Sequence, residues 1–134
     1  MSGLPRLNDD EWRSWVVYAR RDRVEAHNAV ERGSWSEACF HAQQSCEKLL
    51  KALLIKEGVF MPVHDLGRLA EEASSRVVEL VELVESLGKL TVHYYASRYP
   101  DAATRFSITY DEGVARMCVE VMDELWRVLG RHLA

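Results

Sequence analysis

Residues 40–54, FHAQQSCEKLLKALL, decide how the rest of this sequence is interpreted. Apolar residues recur here every three or four positions, which is the spacing of one face of an α-helix. The inward stripe is formed by Ala38, Ala42, Cys46, Leu49 and Leu53. Two polar lines run beside that stripe, one through Gln43, Glu47 and Lys51 and the other through Gln44 and Lys48. They are typical of a solvated face with one ion pair, Glu47 with Lys51, but a binding groove would also use such residues.

The same helical spacing recurs along most of the chain, and no segment has the strict alternation of a strand. The predicted helices run from a cap at Asn8 to about Glu31, from a capping box at Ser34 and Glu37 to Glu57, in a short piece after a cap at Asp65, from about Arg76 to Arg98, and from a capping box at Thr109 and Glu112 onward. Gly88 inside the fourth helix indicates a kink or a close contact. Residues 102–109 are predicted to form a loop. The expected fold is an all-α, antiparallel up-and-down bundle of four long helices plus one short helix, in a single domain of residues 1–134.

Composition and charge narrow the class of protein. Of the 134 residues, 48% are hydrophobic and 28% are charged, which argues against wholesale disorder, and the net charge of −4 disfavours a protein whose whole surface grips nucleic acid. The arginines of the first helix interleave with Asp22 and Glu25, which favours a solvated face. No apolar run reaches the length of a membrane helix and no signal-peptide core is recognised, so we expect a cytoplasmic protein with no membrane association.

The cysteines and histidines show no ligand spacing for a metal. Cys39, Cys46 and Cys118 form no CxxC motif, and His41, His64 and His93 lie on separate predicted elements. The expectation is therefore three buried thiols, no metal site and no cofactor.

Residues 93–101, HYYASRYPD, concentrate aromatic and basic side chains at the end of a predicted helix. Arg98 carries a planar fork that suits phosphate or carboxylate, and Tyr95 and Tyr99 have rings on which bases can stack. Core packing explains one or two of these residues but not all of them. The segment is therefore a candidate functional or interface region.

Three pieces of sequence, in this order, together resemble the HEPN domain. They are HAQQSCEKLLKALL (41–54), HDLGRLAEE (64–72) and YYASRYPDA (94–102), and the resemblance covers residues 35–102. It implies a helical bundle that usually homodimerises and is often encoded beside a small nucleotidyltransferase, commonly as a toxin–antitoxin pair. Many such proteins are metal-independent ribonucleases with an R-x4–6-H motif near the start of the fourth long helix, whereas others bind nucleotides or act as non-catalytic partners.

The nuclease motif is the point at which this sequence departs from the family. The arginine that should precede His93 would fall at positions 86–88, which hold Ser86, Leu87 and Gly88. Arg98 follows His93 instead and produces the reverse order, H-x4-R. Matches to the bare spacing at Arg20 or Arg21 with His27, and at Arg127 with His132, are as frequent as chance predicts and lie elsewhere in the chain.

Three functions remain open from the sequence. The first is a module that binds nucleotide, RNA or a nucleotidyltransferase partner, in which His41, Gln44 and Lys48 face the HDL and RYP segments. The groove residues would then be His41, Gln44, Lys48, His64, Tyr95, Arg98 and Tyr99. The second is a ribonuclease in which His93 transfers protons and Arg98 stabilises the phosphorane. The third is a structural helical dimer subunit with no ligand.

Overall fold

The computed structural model describes residues 10–134, and every regular element in that range is helical. The helices are α1 (Glu11–Glu31), α2 (Trp35–Lys56), α3 (Leu66–Ser74), α4 (Val84–Leu90), α5 (His93–Ala96), α6 (Pro100–Arg105) and α7 (Glu112–Leu129), with 3₁₀ turns at Val78–Leu83 and Gly130–His132. The predicted all-α bundle is confirmed. Within residues 10–134, no helix combines the length and the apolar character needed to cross a membrane.

Helix α2 lies at the centre of the bundle and packs against α1, α3, α5 and α7. Its predicted inward stripe is buried, and so are all three cysteines of the chain, as expected. One buried hydroxyl joins three helices in the core: Ser45 on α2 donates to the Ala19 carbonyl of α1 (2.8 Å) and accepts from Trp126 Nε1 of α7 (2.9 Å). A buried polar atom without a partner is costly, so a shift of one helix that breaks either hydrogen bond is unfavourable. The two bonds of the Ser45 hydroxyl therefore fix the three helices in one register.

The predicted fourth long helix is broken into pieces, and the predicted loop after it contains a helix. The 3₁₀ turn Val78–Leu83 leads into α4, and residues 91 and 92 separate α4 from α5. At this break the hydroxyl of Thr91 accepts a hydrogen bond from the backbone of Leu66 at the start of α3 (2.9 Å). Pro100 then begins α6 after an extended Tyr99, since proline is favoured at a first helical position and disfavours helix at the residue before it.

Gly88 marks a close approach of two helices, as one of the two sequence interpretations expected. A Cβ placed at Gly88 would lie 3.7 Å from the Cα of Gly67 on α3. The backbones of α3 and α4 therefore meet at a pair of glycines. This contact positions the segment that follows, which carries α5 and Arg98.

Of the helix caps predicted at Asn8, Asp65 and Thr109, one is confirmed, one is wrong and one lies outside the described residues. Asp65 caps α3 as predicted, because its Oδ1 accepts from the amides of Gly67 (2.9 Å) and Arg68 (3.3 Å). Asn8 lies outside the described residues. The capping box at Thr109 is wrong, since α7 starts later and Asp111 caps it through the amide of Val114 (2.9 Å).

Ser34 precedes α2 as predicted, but its side chain makes no capping hydrogen bond. The carboxylate of Glu37, which would complete the box, pairs with Arg32 instead. The backbone turn after α1 takes over part of the cap's role, since Ser34 N donates to Ala29 O (2.8 Å) with Gly33 at a φ of 76°. A positive φ is readily adopted by glycine, so Gly33 permits this tight connection.

Candidate functional site

Asp22 of α1 anchors two of the predicted groove residues. Its side chain is 11% exposed, and its two oxygens accept from His41 Nδ1 (2.9 Å) and Lys48 Nζ (2.6 Å). Burial raises the pKa of Asp22, but the hydrogen bonds from His41 and Lys48 outweigh it and hold this pKa below its usual value. The prediction of a solvated face is wrong at this residue, because α2 packs over it. His41 and Lys48 therefore face α1 rather than the HDL and RYP segments.

A second polar group, the Glu47 cluster, consists of Gln43, Glu47, Lys51 and His64. The carboxylate of Glu47 receives Lys51 Nζ at 3.0 Å, Gln43 Nε2 at 3.1 Å and His64 Nδ1 at 3.0 Å. The predicted ion pair is present, but the Glu47 and Lys51 side chains are only 7% and 6% exposed. Their polar line is thus buried, and it is this line that meets the HDL segment.

Aromatic rings continue from the Glu47 cluster to the protein surface. The His64 ring stacks on Tyr94 with centroids 4.7 Å apart, and Tyr94 contacts the edge of Tyr95 at 4.8 Å. Tyr95 is half exposed. A contact path therefore runs from a buried carboxylate to an exposed aromatic ring.

Arg98 lies on the surface just beyond α5. Its guanidinium carbon stands 4.8 Å from the centre of the Phe40 ring, which in turn contacts His41 at 5.3 Å. Among residues 10–134, no carboxylate forms an ion pair with Arg98. We call Phe40, Tyr95, Arg98 and Tyr99 the Arg98 surface; its two tyrosines are each about half exposed.

The predicted groove residues are thus divided among three places: the partners of Asp22, the Glu47 cluster and the Arg98 surface. Gln44 is linked to the Glu47 cluster, because its Nε2 donates to Oε1 of Gln43, a member of that cluster (2.7 Å). Tyr99 is tied to the end of α5 through its backbone, whose amide donates to the Tyr95 carbonyl (2.9 Å). His64 and Tyr95 are linked through Tyr94.

His93, the candidate proton-transfer residue, is buried at 7% exposure. Its Nδ1 lies 2.7 Å from the hydroxyl of Tyr110, and burial lowers its pKa to about 4. Helix α5 ends at Ala96, so the chain is free to turn before Arg98, but no hydrogen bond between His93 and Arg98 occurs in the described part of the chain. The structure places these two candidates in different environments.

His93 also belongs to a group of potential metal ligands that the sequence spacing did not reveal. Cys39 of α2, His93 of α5 and Cys118 of α7 each offer one ligand atom, and these atoms all lie within 4.8 Å of one another. A hydrogen bond with Cys118 and burial raise the pKa of the Cys39 thiol. Burial also raises the pKa of Tyr110, and the neighbouring thiols add to the shift. The three residues are far apart in sequence and share no motif, so only packing brings them together.

Comparisons with known proteins agree on one family. The family model of the HEPN domain matches residues 12–132. The chain is similar in structure to TT1696 from Thermus thermophilus, with a TM-score of 0.80 and 26% identity over 91% of this chain and 98% of that one. It is also similar to ST0689, an archaeal HEPN homologue, with a TM-score of 0.71 and 25% identity over 98% of this chain and 100% of that one.

No match was found among curated proteins. The HEPN match nevertheless spans nearly the whole chain, including α1 and α7, for which the sequence pattern offered only a general likeness. The chain belongs to the HEPN domain family.

Proposed function

We propose that this HEPN protein is a non-catalytic binding module that uses the Arg98 surface to hold a phosphate-bearing nucleotide or RNA end. We further propose that it works as a homodimer beside a small nucleotidyltransferase, in a toxin–antitoxin type of pair. The second part follows from the family resemblance. The first part is supported by the contacts of this chain.

The observation that carries the proposal is that Arg98 is exposed and forms no ion pair with a carboxylate among residues 10–134. Lys48 and Lys51 are neutralised by Asp22 and Glu47, so their charges are committed inside the protein. Arg98 has no such carboxylate among residues 10–134, and it is exposed to solvent. A guanidinium can bind phosphate through two parallel N–H bonds, which makes Arg98 the suitable anion contact on this face.

Two exposed tyrosines close to Arg98 in the sequence supply the second half of the chemistry. Tyr95 and Tyr99 expose about half of their surface, at 50% and 51%. Base stacking on such rings contributes about 1–3 kcal/mol per base and tolerates any base. An exposed cation flanked in the sequence by two exposed tyrosines fits a nucleotide, with the phosphate on Arg98 and the base on a ring.

The burial of His93 favours binding over RNA cleavage. A general acid or base must reach the proton that it transfers, to within about 3 Å or through one water. His93 is 7% exposed and contacts Tyr110, whereas Arg98 lies on the surface. This arrangement supports Arg98 as a binding residue that acts without His93.

The test is binding of ATP and of a 5′-phosphorylated RNA oligonucleotide, measured by calorimetry and by fluorescence polarisation. We expect Arg98→Ala to weaken binding at least tenfold because it removes the phosphate contact. Arg131→Ala is the matched control, since Arg131 is also exposed and lies at the C-terminal 3₁₀ turn. Equal affinities for wild type and Arg98→Ala would contradict the proposed surface.

Two further measurements separate the remaining alternatives. Co-expression with a small nucleotidyltransferase encoded next to this chain, followed by light scattering on a sizing column, reports both the partner and the homodimer. RNA cleavage in EDTA that is lost in both His93→Ala and Arg98→Ala would establish the ribonuclease instead. If the protein shows no binding, no complex formation and no cleavage, the structural-subunit hypothesis remains.

A further inference from the structure

The Cys39–His93–Cys118 group has the size of a metal site. Its ligand atoms lie within 4.8 Å of one another, and the three residues are 0%, 7% and 1% exposed. A tetrahedral Zn²⁺ with bonds of about 2.3 Å to sulfur and about 2.0 Å to nitrogen separates its ligands by roughly 3.5–3.8 Å. The group therefore needs to contract by only about 1 Å at its widest edge to enclose an ion.

The donor types match a defined class of ion. Two cysteine sulfurs and one imidazole form the Cys₂His set that binds zinc, and soft thiolates also favour Cu⁺. Binding would release the two thiol protons to solvent, and the resulting two thiolates would neutralise a divalent ion such as Zn²⁺ completely. A neutral complex avoids the large free-energy penalty of burying an unpaired charge, so the site suits its buried position.

An entry path to the group is present. A cavity of about 210 Å³ is lined by Lys89, His93, Met117 and Cys118, among others, so it reaches two of the three ligands. A neighbouring cavity of about 580 Å³ is also lined by His93 and Met117. Met117 is 58% exposed and carries a thioether, which is a further soft donor at the mouth of this path.

The surroundings of His93 also fit a ligand. The Tyr110 hydroxyl lies 2.7 Å from Nδ1 of His93. Histidines that bind metals usually hydrogen-bond through their other ring nitrogen, which fixes the ring. A metal bound through Nε2 would keep the Tyr110 contact in that role.

We propose that Cys39, His93 and Cys118 bind one soft transition-metal ion, Zn²⁺ or Cu⁺, with the remaining coordination position open to the Met117 cavity. The bound ion joins α2, α5 and α7. Since α5 leads directly to Arg98, the ion would also hold the Arg98 surface against the core. This site is independent of the proposed nucleotide binding and does not require it.

The experiment uses the full chain, stripped with EDTA and kept reduced with a phosphine so that the thiols stay free. Co²⁺ is the probe, because thiolate ligands produce a charge-transfer absorption and tetrahedral geometry intensifies the visible bands. We expect one equivalent of Co²⁺ per chain, displacement by Zn²⁺, and a melting temperature that rises with added Zn²⁺. Competition with a Cu⁺ chelator in a parallel titration distinguishes the two ions.

Cys118→Ser tests the ligands, and Cys46→Ser is its matched control because Cys46 is a fully buried thiol of α2 outside the group. We expect Cys118→Ser to lose the charge-transfer absorption and to weaken binding at least tenfold, while Cys46→Ser retains both. Equal binding by Cys118→Ser and wild type would overturn the proposal. If Cys118→Ser does not fold, the wild-type titration still decides, since the absence of stoichiometric Co²⁺, Zn²⁺ and Cu⁺ binding would refute the site.

Discussion

The Glu47–Lys51 pair offers a sharp test of how burial changes the energy of an ion pair. Glu47→Gln keeps the shape of the side chain but removes its charge, so Lys51 is left with an ammonium that is 6% exposed and has no anionic partner within the cluster. At the observed separation of 3.0 Å and an effective dielectric constant of about 20, the lost attraction is about 5.5 kcal/mol. The neutral side chain needs less desolvation, which offsets part of this loss. We therefore expect the free energy of unfolding to fall by about 3–5 kcal/mol.

The chain contains a matched control for this effect. Glu85 and Lys89 have the same i, i+4 spacing at 3.4 Å, but their side chains are 84% and 78% exposed. Glu85→Gln should cost no more than about 0.5 kcal/mol, because water screens the exposed pair. Spacing and residue types are the same, so burial is the main difference between the two substitutions.

Urea unfolding followed by circular dichroism measures both free energies, and Glu47→Gln should also lower the melting temperature by roughly 10–20 °C. Adding Lys51→Met to Glu47→Gln should recover at least about 2 kcal/mol, because the stranded charge is removed. A loss for Glu47→Gln as small as that for Glu85→Gln would refute the reasoning. So would a double variant that is no more stable than Glu47→Gln alone.

Three further predictions concern the neighbouring elements. Asp22→Asn should cost about 2–3 kcal/mol at neutral pH, since His41 and Lys48 lose their anion. Because the folded pKa of Asp22 is depressed, the stability difference between wild type and variant should shrink as pH falls below about 4 and through that lower pKa. Urea unfolding between pH 7 and pH 2.5 measures this difference. A gap that does not narrow at all towards the acid end would contradict it. Asp65→Ala should cost about 1 kcal/mol by removing the α3 cap, with hydrogen exchange at the Gly67 amide as the local readout. Gly88→Ala should be neutral or stabilising by up to about 1 kcal/mol, because the new Cβ would lie at an ordinary 3.7 Å from Gly67. Gly67→Ala should be less favourable, since its Cβ would stand 3.2 Å from the capping oxygen of Asp65. Thermal melts that give the opposite order of stability would refute the packing argument.

Features set by neighbours along the chain were predictable from the sequence. The Asp65 cap, the Glu47–Lys51 pair and each step of the α2 stripe join residues about one helical turn apart. Their periodicity and spacing are written in the local sequence, so the all-α bundle could be predicted. The three family segments extended that prediction to the HEPN domain, which the match over residues 12–132 confirms.

The fourth predicted helix shows where local reasoning stops. Its residues have helical spacing, but the break after α4 is stabilised by Thr91, which binds the start of α3 twenty-five residues earlier. The same limit applies to the polar faces of α1 and α2. Whether Asp22 or Glu47 meets water or another helix depends on how the helices are rotated and packed, which periodicity alone does not specify.

The candidate sites depend most strongly on tertiary structure. The sequence alone predicted a helical bundle of the HEPN type, with an aromatic and basic segment at residues 93–101. Packing decided that Arg98 keeps its charge available at the surface while Lys48 and Lys51 do not. It also placed Cys39, His93 and Cys118 within 4.8 Å of one another. The physical reason is that charge pairing and ligand geometry depend on distances in space, and these residues reach one another only when the helices that carry them are packed together.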